Sequence, residues 1–393
     1  MSKHIFSIIF LFSGFFSINV VASVADSTVP EPFQGFDPNS GLTINYVDLD
    51  SLLDAVVLDT GRSTRQKANP SHAKTGTRMK VKVNRATVNE GNRFYYEIFL
   101  NNEGNQQTLR KIRTRLENIP ELAPLEKFSR DEQLAYWINL YNVTLLDEIV
   151  KVYPERELEE RLVGKKSILA EKILTVSGVP LSLNDIQFTI LKQNYGSNPL
   201  LIYGLYQGII GGPNIRKQAY TGKYVYGDLI DNAVEFVNSN RGTEYKSKRA
   251  FRVSSLYARN AVFFADFDSD LTRHLLAYLE GEERSGLQAA TKIKPDISDW
   301  TITDLYGTYR DMAGSISNNS AALMGAASGA ESSRFASKAA RPSRYSPAVT
   351  KYLNELNEKQ ATARAETGVV TIEELGQVSD ETDAADEDNR VNN

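Results

Sequence analysis

The segment Gln207–Arg216 (QGIIGGPNIR) is the most distinctive candidate for chemistry in this sequence. The pair Gly211–Gly212 would allow a ligand to approach the backbone, and Pro213 suits the first turn of a helix, whose free amides attract anions. Arg216 and Tyr220 could complete such a pocket. The alternative is a tight turn between a strand and a helix, in which the glycines serve geometry alone.

Asp185 is a second candidate, although its position three residues after Ser182 first indicates a role at the start of a helix. Together with Gln207 and Tyr220, Asp185 could assist attack by water. This set of residues defines our alternative function, an envelope hydrolase or transferase that uses neither a thiol nor a metal. It predicts a deep pocket in which the three side chains converge within hydrogen-bond distance.

Several common chemistries are excluded by residue types that are absent or isolated. The chain has no cysteine, which rules out disulfides, thiolate metal sites and a cysteine nucleophile. Its three histidines, His4, His72 and His274, have no second histidine or carboxylate at ligand spacing, so we expect neither a metal site nor a cofactor. His274 is expected to be a partly buried structural residue. The sequence contains no G-x-S-x-G motif for a nucleophilic serine.

The helix that should position these residues runs from Ser129 to Val150. Ser129 can cap its start, and Glu132 can reach back to close a capping box. One face of the helix is an apolar stripe, and the opposite face is small or apolar except for Asn139 and Asn142. A helix apolar on two sides is buried on two sides, so both carboxamides need fixed partners. We expect them to form the back wall of the site by holding the segment Gln207–Arg216.

The first 25 residues have the layout of a secretory signal peptide, with an apolar run from Ile5 to Val21 and cleavage expected after Ala22 or Ala25. An uncleaved membrane anchor is the competing interpretation of this run. We expect an exported protein, periplasmic or secreted, with no stable membrane anchor after the signal is removed.

Charge is unevenly distributed along the chain. The formal net charge is −4 and becomes −5 without Lys3, while residues 379–393 hold six acidic residues and one Arg, which is also −5. The remaining body is therefore neutral, which argues against nucleic acid and anionic membranes as partners. For the same reason we expect the basic residues between 110 and 115 to form a solvated surface, namely Arg110, Lys111, Arg113 and Arg115.

The pattern of elements predicts an α+β fold, a predominantly helical domain around a small central sheet with a flexible C-terminal extension. We divide the chain into a signal peptide (1–25), an extended leader (26–42), a globular domain (43–312), a flexible linker (313–345), an isolated or docking helix (346–365) and a disordered acidic tail (366–393). Strands are predicted at 44–47, 79–83, 200–206 and 250–253, and further helices at 51–58, 109–119, 227–238, 255–264 and 270–279, with another starting at Ser182.

Three blocks of this sequence resemble a known family. LAYWINLYNVTLLDEIVKVYP, VSGVPLSLNDIQFTIL and the later AYTG, with a closing Asp299–Trp300, are similar to the family called domain of unknown function 547 over about residues 127–300, and more weakly back to Val47. The resemblance implies a mixed helix-and-sheet domain, found in bacterial secreted proteins and in some eukaryotic proteins, with no established activity.

The chain also departs from that family. Many members have Glu-His where this chain has Gln187–Phe188, a His at the position of Tyr203, and one or more Cys in the loop occupied here by 207–212. The thiol-and-histidine activity suspected of such members cannot operate here.

These observations lead to one main hypothesis and two alternatives. The main hypothesis is an exported domain that binds a small ligand or a protein partner at the loop 207–216, through residues Asn139, Asn142, Asp185, Gln207, Arg216 and Tyr220. The first alternative is the hydrolase or transferase described above. The second is a purely structural role in which the C-terminal helix and acidic tail contact a partner.

Overall fold

The computed structural model describes residues 28–68 and 84–305, together with Glu355. The predicted signal peptide or anchor, the strand at 79–83, the linker, the acidic tail and, apart from Glu355, the C-terminal helix lie outside the described residues. None of the described helices is both long and apolar enough to cross a membrane.

The architecture is α+β and mainly helical, as the sequence predicted. The described α-helices are, in chain order, α1 (Val47–Val56), α2 (Glu103–Glu117), α3 (Ile119–Leu122), α4 (Arg130–Val152), α5 (Glu159–Val163), α6 (Lys192–Tyr195), α7 (Val225–Val237), α8 (Ser255–Arg259), α9 (Phe267–Tyr278) and α10 (Gly281–Ala289). A π-helix, Asp185–Leu191, leads into α6, and short 3-10 helices lie at Glu31–Phe33, Tyr96–Phe99, Leu125–Lys127, Pro199–Tyr203 and Ala261–Phe263.

The described strands are divided among three small sheets. The antiparallel pairs are β1 (Val57–Leu58) with β2 (Arg93–Phe94), and β3 (Leu174–Val176) with β4 (Val179–Leu181). The third sheet has the order β5 (Thr243–Ser247), β6 (Ala250–Ser254), β7 (Ile293–Ile297), in which β5 and β6 are antiparallel and β6 and β7 are parallel.

The long helix α4 lies at the centre of the molecule. Its start is the one predicted, because the Ser129 hydroxyl accepts a hydrogen bond from the Glu132 amide at 3.2 Å. It packs against α2, α7 and the π-helix, and Trp137 on it is fully buried with the ring of Phe33 edge-on at 5.0 Å. Burial on every side explains why its sequence is apolar on two faces.

Two predicted strands are wrong. Residues 44–46 have no ladder, because the Ile44 amide donates to the Glu132 carboxylate at 2.9 Å and the Asn45 side chain accepts from the Val47 amide, which begins α1. The apolar run predicted as a strand at 200–206 is instead the buried 3-10 helix Pro199–Tyr203, capped by the Asn198 side chain on the Leu200 amide. A short apolar run is compatible with either geometry, and here the cap and the proline decide.

The expected solvated surface on α2 is also wrong at one residue. Arg113 is buried, and its guanidinium binds Asp147 at 2.9 Å and Glu117 at 2.8 Å. Arg110, Lys111 and Arg115 are exposed as predicted.

Candidate functional site

Asn139 fastens the end of the candidate loop to the rear face of α4. Its side-chain nitrogen donates to the Tyr220 carbonyl at 2.8 Å, and its side-chain oxygen accepts from the Tyr220 amide at 2.9 Å. The carboxamide therefore replaces the partners that a neighbouring strand would give to Tyr220.

Asn142, one turn further along α4, does the same at the beginning of the loop. Its nitrogen donates to the Gly204 carbonyl at 2.9 Å, and its oxygen accepts from the Tyr206 amide at 2.9 Å. Both asparagines are buried, and both have the fixed partners that the sequence required.

Glu132 lies on the same face of α4 as Asn139 and Asn142 and also binds backbone amides. The sequence analysis gave Glu132 the wrong role. Its carboxylate does not close a capping box; it accepts from the Ile44 amide at 2.9 Å and the Gly222 amide at 3.0 Å. Gly222 is required there, since a Cβ would lie 2.8 Å from the Glu132 backbone nitrogen. The spacing of Glu132, seven residues before Asn139 on the same face, was the available signal.

The loop itself is internal. All residues from Gln207 to Ile215 are buried, and the segment 299–303 covers them through hydrogen bonds from the Ile210 amide to Thr301 and from the Gly211 amide to Asp299, both at 2.8 Å. A Cβ at Gly211 would lie 2.8 Å from the Asp299 backbone. Gly211 and Gly212 therefore allow close packing of the backbone, as the alternative interpretation of the loop predicted. No helix begins at Pro213.

Arg216 lies where the loop returns to the surface, whereas Tyr220, four residues later, is buried. The Arg216 guanidinium pairs with Asp228 at 2.6 Å and lies 5.3 Å from the centre of the Tyr220 ring. The Tyr220 hydroxyl accepts from the Asn232 side chain at 3.0 Å. Burial raises the pKa of Tyr220, so its phenol stays protonated at neutral pH and cannot act as a base.

A small cavity separates α1 from this region. It is lined by Leu49, Leu53, Asn139, Asn142, Arg216 and Tyr220, among others. Its volume is about 10 Å³, which is room for about one water molecule. The structure thus brings four of the six predicted site residues together, but around a space too small for an organic ligand.

Asp185 belongs to a different part of the surface. Its carboxylate binds the Lys172 amine and the Ser182 amide, both at 2.6 Å, and its own amide donates to the Ser182 hydroxyl. Burial alone would raise the pKa of Asp185, but the hydrogen bonds from Lys172 and Ser182 lower it. This is the helix-start role expected first. Gln207 binds Arg259 instead, so no hydrogen bond in the described structure joins Asp185, Gln207 and Tyr220.

The positions at which this chain departs from the resembled family converge on the end of α8. The Gln187 side chain donates to Asn260, the Tyr203 hydroxyl lies 3.1 Å from that of Tyr257, and the Gln207 oxygen accepts from the Arg259 guanidinium at 3.0 Å. Each of these departing residues is thus bound by one residue at the end of α8, namely Asn260, Tyr257 or Arg259. Sequence reasoning did not identify α8 as part of the site.

Arg259 is the unusual group in this cluster. Its guanidinium lies 4.8 Å from the centre of the Trp300 ring, and its Nε has no hydrogen-bond partner among the described residues. Burial lowers the pKa of Arg259 to about 10, and no described carboxylate forms an ion pair with it. Arg259 is therefore a partly desolvated cation for which the described residues supply no counterion.

His274 has the structural role that the sequence predicted. Its ring stacks on Tyr203 with 5.6 Å between ring centres, and its Nε2 lies 2.8 Å from the Tyr203 hydroxyl. Burial lowers the pKa of His274 to about 4. Within the described residues, no group of three His, Asp or Glu side chains could hold a metal ion.

The part of the chain from the lead-in of α4 to the end of α7 has a counterpart among known families. Residues 125–237 match the model of the family described as "Protein of unknown function, DUF547". The chain resembles this family, as its sequence blocks indicated. No curated protein and no solved structure matches the chain. The matched residues include Asn139 and Asn142 of α4, which we call the asparagine clamps, and the buried loop. They do not include α8.

We predict that Asn139→Leu lowers the free energy of unfolding by about 1–3 kcal/mol, because the buried Tyr220 amide and carbonyl lose the hydrogen bonds that Asn139 gives them. Urea denaturation measures this change. The exposed Gln107→Leu on α2 is the matched control and should change stability by less than about 0.5 kcal/mol. Equal effects of the two substitutions would contradict the clamp.

A second prediction concerns pH. The pKa of His274 is lowered in the folded protein from 6.5 to about 4, so the unfolded chain binds a proton more readily between these values. The stability contributed by His274 is complete above about pH 6.5 and falls by about 2–3 kcal/mol as the pH drops to 4. His274→Phe, which keeps the aromatic stacking, should remove this part of the pH dependence in urea titrations at pH 7 and 4.5. An equal loss of stability between pH 7 and 4.5 in the unchanged protein and in His274→Phe would contradict this role of His274.

Proposed function

We propose that this protein is an exported domain that binds a carboxylate group of a protein partner at Arg259, beside the Gln207 end of the buried loop. The observation that carries the proposal is the desolvated Arg259 guanidinium, which no described carboxylate neutralises. Export is supported by the signal-peptide pattern of residues 1–25. A mature chain beginning at Ser23 or Asp26 would support export, and one retaining Met1 would contradict it.

The energetic argument starts from the other arginines near the loop. Arg216 is bound to Asp228, and the fully buried Arg241 is bound to Glu235, so the charge of each is already compensated. Among the residues that the structure describes, Arg259 has an amide oxygen and an aromatic face as partners, but no carboxylate. Because a desolvated charge without a counterion is costly, an anion that reaches Arg259 gains more than it would at a solvated arginine.

The shape of the surroundings favours a group presented by a larger partner. The loop is closed by the segment 299–303, and the cavity behind it holds about one water. Arg259 and Trp300 are partly exposed, so a ligand can approach Gln207 from their side. A carboxylate is planar and accepts charge-assisted hydrogen bonds from a guanidinium, and Trp300 offers an apolar surface beside it.

This proposal changes the role of the residues predicted from the sequence. Asn139, Asn142 and Tyr220 support the loop, Asp185 starts the π-helix, and Gln207 orients Arg259. The hydrolase or transferase alternative needs Asp185, Gln207 and Tyr220 together, and their hydrogen bonds lie in separate networks.

Fluorescence of Trp300 provides a direct test, since the chain has only two tryptophans and the other, Trp137, is fully buried. The probes are N-acetylated tetrapeptides of random sequence without Asp, Glu or Trp, with either a free or an amidated C-terminus. We expect saturable quenching by the free acids alone. Arg259→Gln should weaken their binding by roughly tenfold to a hundredfold, the value of a charge-assisted hydrogen bond.

The controls separate this site from its alternatives. The exposed Arg273→Gln on α9 should bind as the unchanged protein does, and Trp300→Phe should remove the signal. Equal binding of acids and amides, or loss of binding in Arg216→Gln but not in Arg259→Gln, would contradict the proposal. If acetate binds as tightly as the peptides, the ligand is a small carboxylate and not a protein partner.

A further inference from the structure

A second group of unpaired cations lies at the tip of the three-stranded sheet, far in sequence from the loop. Five exposed basic residues occupy the end of β5, the turn from β5 to β6 and the first residues at β7, namely Lys246, Lys248, Arg249, Lys292 and Lys294. We call them the hairpin cluster. None of the five forms an ion pair with another described residue, whereas Arg252 beside them forms two.

Backbone hydrogen bonds hold these cations close together. The Thr291 amide donates to the Lys248 carbonyl at 3.1 Å, its hydroxyl donates to the Arg249 carbonyl at 3.2 Å, and the Phe251 amide donates to the Lys292 carbonyl at 2.9 Å. The start of β7 is therefore fastened to the turn. The five cations therefore lie on neighbouring backbone segments of one sheet end, where like charges repel one another.

The acidic residues in register with the cluster are already engaged. Glu244 lies opposite Arg252, and Lys294 lies opposite Arg252 on the other side. Arg252 binds Glu244 at 2.5 Å and Asp296 at 2.7 Å, so these three residues together carry a net charge of −1. The cluster and these three residues therefore have a net charge of +4, which remains available to an anionic partner.

We propose that the occupant of the hairpin cluster is the acidic tail of this same chain, residues 379–393. The tail has six acidic residues and one Arg, a net charge of −5, and the cluster has a charge of +5. The body without the tail is neutral, so the tail meets its strongest attraction where the body concentrates unpaired cations.

The connecting chain is long enough for this contact. The described fold ends at Leu305, and residues 306–378 separate it from the tail. A chain of that length can span up to about 240 Å when it is extended, whereas a domain of this size has a radius of gyration of about 18 Å. The tail can thus reach the cluster, and tethering raises its effective concentration to about the millimolar range.

A second exposed basic surface among the described residues is a weaker match. The outer face of α2 and α3 forms a groove of about 690 Å³ that includes Arg110, Lys111 and Arg115, but Glu121 lines it too and Arg115 is paired with Asp48. Its net charge is therefore smaller. Lys111 serves as the internal control in the test below.

Zero-length carbodiimide cross-linking of the full chain tests the contact, because the reagent joins a lysine amine to a carboxylate already in contact with it. We expect peptides that link residues 380–388 to the four lysines of the cluster at a yield at least about threefold above that for Lys111. Raising NaCl from 50 mM to 500 mM should abolish this preference, because the contact is exposed and screened by salt.

Two further measurements decide the remaining outcomes. In a mixture of ¹⁴N- and ¹⁵N-labelled chains, the links should join peptides of one label; mixed links would instead indicate a contact between two chains and overturn the proposal. Replacing the six acids of residues 380–388 by their amides should delay elution from a heparin column, and adding Lys248→Glu and Arg249→Glu should reverse the delay. Links spread evenly over all lysines, or unchanged elution, would also overturn it.

Discussion

The fold depends on hydrogen bonds from buried polar side chains of α4 to the backbone of segments that have no regular structure of their own. Glu132, Asn139 and Asn142 occupy one face of the helix and bind the chain near residues 44, 204–206 and 220–222. A buried backbone amide or carbonyl without a partner costs about 1–3 kcal/mol. Because a sheet does not provide these partners, the helix has to provide them.

This arrangement determines where function can lie. The clamps hold the loop 207–216 against α4, while the segment 299–303 closes its other side, so neither the glycines nor the asparagines face a ligand. Gln207 is the first residue of this buried loop, and its side-chain oxygen accepts a hydrogen bond from the guanidinium of Arg259. A group fixed in this way is preorganised, which reduces the entropy lost when it binds a partner.

The sequence was informative wherever a local pattern decides the structure. The start and length of α4, the burial of both its faces and the need for partners at Asn139 and Asn142 followed from capping and periodicity. The family resemblance followed from its sequence blocks, and the match at 125–237 confirms it. His274 was correctly placed as a structural residue because no ligand spacing surrounds it.

The predictions from the sequence were wrong where residues distant in sequence determine the local structure. Glu132 satisfies the pattern of a capping box, but two amides distant in sequence compete for its carboxylate and win. The apolar run 200–206 is compatible with a strand and with a buried helical turn, and the sequence does not distinguish them. Arg113 is buried because it faces Asp147 of another helix. Arg259 could not be ranked among the arginines, since its distinguishing property is the absence of a described counterion.

Native-state hydrogen exchange at the amides of Tyr206 and Tyr220 tests the central role of α4 most directly. Within the described part of the chain, each amide donates to an asparagine side chain of α4 alone, at 2.9 Å. If the clamps anchor the fold, both amides exchange only through global unfolding, with the same free energy as the central residues of α4. Exchange of either amide through a local opening several kcal/mol below that value would show that the loop moves independently of the helix, and would contradict the account.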